Sequence, residues 1–185
     1  DEHQVSELEA AASIPPVVAK LLVQRGITSL EDVRSFLDVK LTGLRDPEEL
    51  PGALEAAQLI YTAAKDGKRI IIYGDYDADG MSSTAILCHC LEAIHAQPHW
   101  YVPDRFDEGY GLNSDALRRL KQDGAELVVT VDCGIASVAE ADVAREIGLE
   151  LIITDHHNFA DRLPAADVLV HPRLPGSEYP FGDLC

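Results

Sequence analysis

The sequence predicts an α/β domain, a parallel β-sheet with helices on both faces, preceded by a short helical N-terminal segment. Three observations lead there. From residue 51 onward, short apolar runs alternate with longer helical patterns. Three of those apolar runs end in acidic or histidine residues, and the first fifty residues read as short helices. Short apolar strands separated by helices belong to parallel sheets covered on both sides.

The elements come in this order. "PPVVAKLLVQRG" (15–26) opens with prolines and closes with glycine after its last apolar turn, the usual asymmetry of helix ends. "TSLEDVRSFL" (28–37) offers Thr28 and Ser29 as N-caps, with acids in its first turn. "LTGLRDPEELPG" (41–52) reads as a linker by its Gly and Pro content, which places a domain boundary near residue 50. Residues 1–50 are thus a helical segment plus linker, and 51–185 a second domain. Within that domain "ALEAAQLIYTAAKDGK" is a helix, "RIIIYG" a strand and "MSSTAILCHCLEAIHA" a helix. "HWYVP", "AELVVTVDCG", "LELIITDHH" and "ADVLVHP" read as further strands, with helices "SDALRRLKQDG" and "SVAEADVAREIG" between them.

Composition narrows the classes. The net charge of −17 argues against a broad basic face for non-specific nucleic-acid binding. The acid excess is uneven: residues 1–69 carry net −4 and residues 70–185 net −13. No apolar run approaches the roughly 18 residues of a membrane span, and the first residues have no signal-peptide pattern. Cys88, Cys90, Cys133 and Cys185 are too few and too irregular for a disulfide framework, which points to a reducing cytoplasm. "CHC" at 88–90 lies inside a helical pattern, where neighbours do not share a face, so it reads as ordinary helix surface or core.

The chemistry concentrates at strand ends. "IIIYGDYDADG", "LVVTVDCG" and "LIITDHH" all stop in acids or histidines. Parallel connections bring such ends to one edge of a sheet, where ligands bind in open α/β folds. Asp75, Asp77, Asp79, Asp132, Asp155, His156 and His157 can therefore converge. If the first run stays extended, period-two spacing puts Asp75, Asp77 and Asp79 on one side, and Gly80 turns the chain into the next helix. Like charges so crowded repel by roughly 3 kcal/mol per pair at about 6 Å under an effective dielectric near 20. A divalent cation offsets this.

A calcium loop matches "DYDADG" through Gly80, but its twelfth position would be Ile86 instead of glutamate, and the entering segment is β-like. An Asp-x-Asp phosphatase would not require "DHH". Carboxylates with imidazole suit Mn²⁺ or Mg²⁺ better than zinc. Two ions about 3.5–4 Å apart, with Asp132 placed to bridge them, suit in-line displacement at phosphorus.

"DYDADG", "VDCG" and "TDHH", in this order on successive strand ends, resemble motifs I to III of the DHH phosphoesterase family. "LVQRGITSLEDVRSFL", "LRDPEELPGALEAA", "PDRFDEGYGL" and "LVVTVDCGI" extend the resemblance to that family's bacterial 5′→3′ exonucleases specific for single-stranded DNA. The resemblance implies a Rossmann-like, DHH-type fold and a role in DNA repair and recombination. It also implies metal ligation by Asp77, Asp79, Asp132 and His156, with Asp75 contributing or just outside. His157 would contact the scissile phosphate, stabilising charge or acting as acid. Asp155 would orient an imidazole, and Arg105 would meet a substrate phosphate unless it pairs with Asp104, Asp107 or Glu108. His89, His95, His99 and His171 receive no role.

Two departures stand out. Many relatives outside the exonuclease group carry a histidine four residues before Asp77, where this chain has Tyr73. The chain also stops at "PFGDLC", before the further metal-binding aspartate, second catalytic domain and oligonucleotide-binding fold that the resemblance implies. The expectation is an N-terminal catalytic piece that binds Mn²⁺ weakly and is inactive or nearly so alone. The alternatives are a phosphodiesterase for short oligonucleotides or cyclic dinucleotides, and a non-catalytic replication scaffold of the same fold.

Overall fold

The structure is a computed structural model that describes residues 2–38 and 40–184. Cys185 lies outside the described residues. Two compact units are present, Asp1–Arg45 and Asp46–Cys185, and the division falls inside the 41–52 linker. The first unit holds helices α1 (Glu2–Ala12), α2 (Pro16–Gln24) and α3 (Leu30–Leu37) around buried Leu8, Ala19, Leu22 and Val33. Of the two candidate caps for α3 it is Ser29 that acts, its hydroxyl accepting from the Asp32 N–H at 3.0 Å.

The second unit runs α4 (Ala53–Lys65), β1 (Ile70–Tyr73), α5 (Ala78–Ala93), β2 (His99–Tyr101), α6 (Ser114–Gln122), β3 (Leu127–Val131), α7 (Val138–Glu146), β4 (Glu150–Thr154) and β5 (Val168–Val170). Its five strands are all parallel, in the order β2-β1-β3-β4-β5. Side-chain alternation divides the core into two layers. Ile71, Tyr73, Val128 and Ile153 pack with Ala116, Leu117, Ala141 and Ala144 of α6 and α7. Ile70, Ile72, Val129, Val131 and Ile152 pack on the other side with Ala56 and Ala63 of α4 and Leu91 of α5. The predicted sheet, with helices on both faces, is what the chain forms. Among the described residues, no helix is long and apolar enough to cross a membrane.

Strand order determines where a site can open. After β1 the chain builds outward to β2 on one side and to β3, β4 and β5 on the other. The connections therefore diverge between β1 and β3, and such a switch point opens a crevice at the carboxyl ends of the strands. Close packing of α5 against the β1 end is needed there. A Cβ at Gly80 would lie 2.6 Å from the Asp75 nitrogen and 2.7 Å from its Cα. Gly80→Ala must therefore push the Asp75 backbone aside. The expected loss is about 1–3 kcal/mol, the usual range for overpacking, measured as a fall in the urea midpoint at constant slope.

Candidate metal centre

β1 ends at Tyr73, and the chain reaches α5 through Gly74 to Asp77. Asp77 is the N-cap: its Oδ1 accepts from the N–H groups of Asp79 at 2.9 Å and Gly80 at 3.0 Å. Those donors are orphaned in every helix start, so a carboxylate here is favoured. The helix thus begins three residues before "MSSTAIL", and Asp79 sits in its first turn. The expectation of one extended face bearing Asp75, Asp77 and Asp79 is corrected here, because helix geometry turns Asp79 away from a period-two register.

Asp132 follows β3 with φ 63°, a left-handed backbone that aspartate tolerates but that costs about 1 kcal/mol. Its N–H donates to the Thr154 carbonyl at 3.0 Å, which ties the β3 end to β4. Its Oδ1 lies 3.0 Å from Nε2 of half-buried His156. Asp155 is fully engaged: Oδ2 accepts from the Ile135 N–H at 2.9 Å, and Oδ1 from the His156 N–H at 2.7 Å and the His157 N–H at 3.1 Å. The same Oδ1 stands 2.7 Å from Nδ1 of His157, so this carboxylate orients that imidazole.

Among the described residues, two groups bring potential ligand atoms within 4.8 Å of one another inside each group: Asp75, Asp77 and Asp132, and Asp132, His156 and His157. Asp132 belongs to both. Asp79 is in neither, but lines a cavity of about 290 Å³ together with Asp132, Asp155 and His156. The cysteine-rich stretch of α5 contributes nothing to either group: among the described residues, Cys88 and Cys90 are free thiols and His89 faces Glu92 at 3.2 Å.

The residues fit a hard divalent cation. Among the described residues, the buried atoms Asp75 Oδ1 and Asp132 Oδ2 have no hydrogen-bond partner. An unsatisfied buried polar group costs about 1–3 kcal/mol, and a cation between Asp75, Asp77 and Asp132 would satisfy both. Oxygen donors with imidazole suit Mn²⁺ or Mg²⁺.

Arg105 and two tyrosines frame this centre. Arg105 stacks over the Tyr76 ring at 5.3 Å and takes part in no ion pair among the described residues. Two of the acids near it, Glu108 and Asp104, are used otherwise. Glu108 accepts from the Tyr101 hydroxyl at 2.6 Å and pairs with Arg119, while Asp104 Oδ1 accepts from the Phe106 N–H at 2.8 Å. Tyr73 does not face the site. Its buried ring packs on Tyr101 at 5.2 Å, and its hydroxyl donates to the Gly111 carbonyl at 3.2 Å. It anchors the loop whose Tyr110 hydroxyl lies 3.2 and 3.3 Å from the two ring nitrogens of His157. Burial, then the charges of Asp155, Asp75 and Asp132, push the Tyr110 phenol far up, so it stays a proton donor. Tyr110 was legible only as part of "PDRFDEGYGL"; no local spacing links it to a histidine 47 residues away.

Known proteins resemble this chain closely enough to place it. The family model described as "DHH family, N-terminal domain" matches residues 69–180. The chain is 48% identical over 184 residues to the single-stranded-DNA-specific exonuclease RecJ of Bacillus subtilis, covering 100% of this chain and 23% of that protein. It is 37% identical to RecJ of Escherichia coli, over 94% of this chain and 30% of that protein. The crystal structure of RecJ from Thermus thermophilus in complex with Mn²⁺ superposes with a TM-score of 0.67 at 34% identity, covering 95% of this chain and 24% of that one. The chain therefore spans about a quarter of the length of the relatives it matches.

Titration of the centre has a definite sign. Burial raises the carboxyls of Asp132 and Asp75 above the usual range, and the charge of Asp77 adds to both. Asp77 is itself held low, chiefly by the Gly80 N–H. Where folding raises a carboxyl pKa, the folded chain binds more protons than the unfolded one. Its stability then falls as pH rises through that window. In EDTA, Asp132→Asn is expected to be more stable than the parent near pH 7, where the parent keeps a charged carboxylate in a buried place. The gain should shrink toward zero at about pH 3, below the usual aspartate pKa, where the carboxyl is largely neutral in both the folded and the unfolded chain. Urea titrations at the two pH values measure it, and an equal difference at both would overturn the assignment.

Proposed function

The chain belongs to the DHH family, and on that premise we propose that it is the metal-binding catalytic part of a 5′→3′ exonuclease acting on single-stranded DNA in the cytoplasm. The observation that carries this reading is the meeting of Asp75, Asp77, Asp132, His156 and His157 at one sheet edge with two buried carboxylate oxygens unpartnered. The RecJ relatives, specific for single-stranded DNA by name, support it.

In this reading Asp75, Asp77 and Asp132 would hold one Mn²⁺ or Mg²⁺ ion, and Asp132 with His156 would hold a second. Asp79 joins from the first turn of α5, across the cavity it shares with Asp132. Bound ions supply a water of lowered pKa and neutralise charge developing on phosphate oxygens. Asp155 keeps His157 Nδ1 as the donor, which leaves Nε2 toward the substrate. Carrying a second proton on Nε2, His157 would stabilise the scissile phosphate or pass that proton to the leaving oxygen, and Tyr110 adds a second donor beside it. Arg105, pre-set over Tyr76, meets a substrate phosphate with its planar guanidinium. One arginine at the rim also explains how a chain of net charge −17 would admit DNA: attraction is local to the site.

Three expected outcomes test this. By calorimetry the chain binds Mn²⁺ weakly, and Asp132→Ala abolishes binding; unchanged binding in the variant would sink the metal assignment. On 5′-phosphorylated single-stranded DNA with Mn²⁺, this chain alone is expected to turn over slowly or not at all, because it spans about a quarter of the length of its RecJ relatives. Full turnover would refute that expectation. Arg105→Ala is expected to weaken binding of the same DNA roughly tenfold, the scale of one charge-assisted contact. Fluorescence anisotropy at fixed salt would read it.

A further inference from the structure

We propose that His171 and Arg173, on the turn that leaves β5, are positioning residues for His156 and His157, acting through the two histidines' backbone carbonyls. The inference rests on the metal-site reading above. His171 is fully buried, its ring 4.5 Å from that of Phe159. Its Nδ1 accepts from the Arg173 N–H at 3.0 Å. The hydrogen must then sit on Nε2, which donates to the His157 carbonyl at 2.9 Å. The Arg173 side chain donates from Nη2 to the His156 carbonyl at 2.9 Å.

These bonds complete a frame. Asp155 already takes the N–H groups of His156 and His157 on one carboxylate oxygen. The turn therefore has both amides held from the β4 side and both carbonyls held from the β5 side. The Asp155 N–H also donates to the Val170 carbonyl at 3.1 Å, so the two supports are joined through the sheet. The backbone that carries the two imidazoles cannot shift without breaking several of these hydrogen bonds. A site that must hold ligands within about 0.5 Å needs that support.

The test separates positioning from packing. His171→Leu keeps bulk and removes the donor. His171→Gln restores an amide N–H at the reach of Nε2. Arg173→Met removes the other clamp at an exposed position, where folding is not at risk. Calorimetry with Mn²⁺ should show His171→Leu and Arg173→Met weakened roughly tenfold, the scale for partners that orient metal ligands, with His171→Gln within about twofold of the parent. Without metal, amide hydrogen exchange at His156 and His157 should quicken in the first two variants and not in His171→Gln. Parent binding that is retained equally in every variant, with unchanged exchange, overturns the proposal. If the parent itself binds no Mn²⁺, the metal reading fails; exchange then decides the positioning role, quickened exchange upholding it and unchanged exchange overturning it. If His171→Leu does not fold, Arg173→Met still decides it by both readouts.

Discussion

Carboxylates crowded at the end of a parallel sheet are the constraint on which the rest of the site depends. Asp75, Asp77 and Asp132 bring oxygens within 4.8 Å of one another. Unit charges at that spacing repel by roughly 3 kcal/mol per pair under an effective dielectric near 20. Asp75 and Asp132 are also buried, with one oxygen each left unpartnered. The fold holds this arrangement in place through strand pairing. Tyr73 stands opposite Thr130, and Val131 opposite Thr154, so the ends of β1, β3 and β4 lie level and their next residues meet. The left-handed backbone of Asp132 is a further local strain at the same point.

The surroundings of the centre are rigid for a physical reason that recurs. Backbone groups at each strand end are taken up by side chains, some from the same turn and some from a distant segment. Asp77 takes amides of α5, Asp155 takes amides of the histidine turn, and His171 and Arg173 take its carbonyls. Loop 104–111 is held in the same way, through Asp104, Glu108 and the Tyr73 hydroxyl. Arg105 and Tyr110 are therefore presented by a braced loop, and Tyr110 lines one cavity with Asp155 and His157. Asp79, Asp132 and His156 line another.

Much of the fold could be read from pattern. Apolar runs such as "IIIY" and "LVVTV" are buried along their whole length, as expected of inner strands in a parallel sheet. Helix starts were less legible. The assumption that residues 75–79 stay extended failed because the Asp77 carboxylate caps α5, and local sequence cannot say which of three aspartates will win that role. Tyr73 could not be placed either. Strand alternation fixes the face of a residue only once the pairing is known, and its ring proved to belong to the α6–α7 core.

Sequence alone determined the alternation of elements, the parallel sheet and the strand ends at which acids and histidines gather, because periodicity and connection length are local properties. Tertiary structure alone decided which of those groups share a ligand sphere, which acts as a cap, and what steadies them. Tyr110, His171 and Arg173 carry no local signature of their roles. Their partners lie on other strands and loops, and a hydrogen bond between distant segments exists only once the sheet has brought them together.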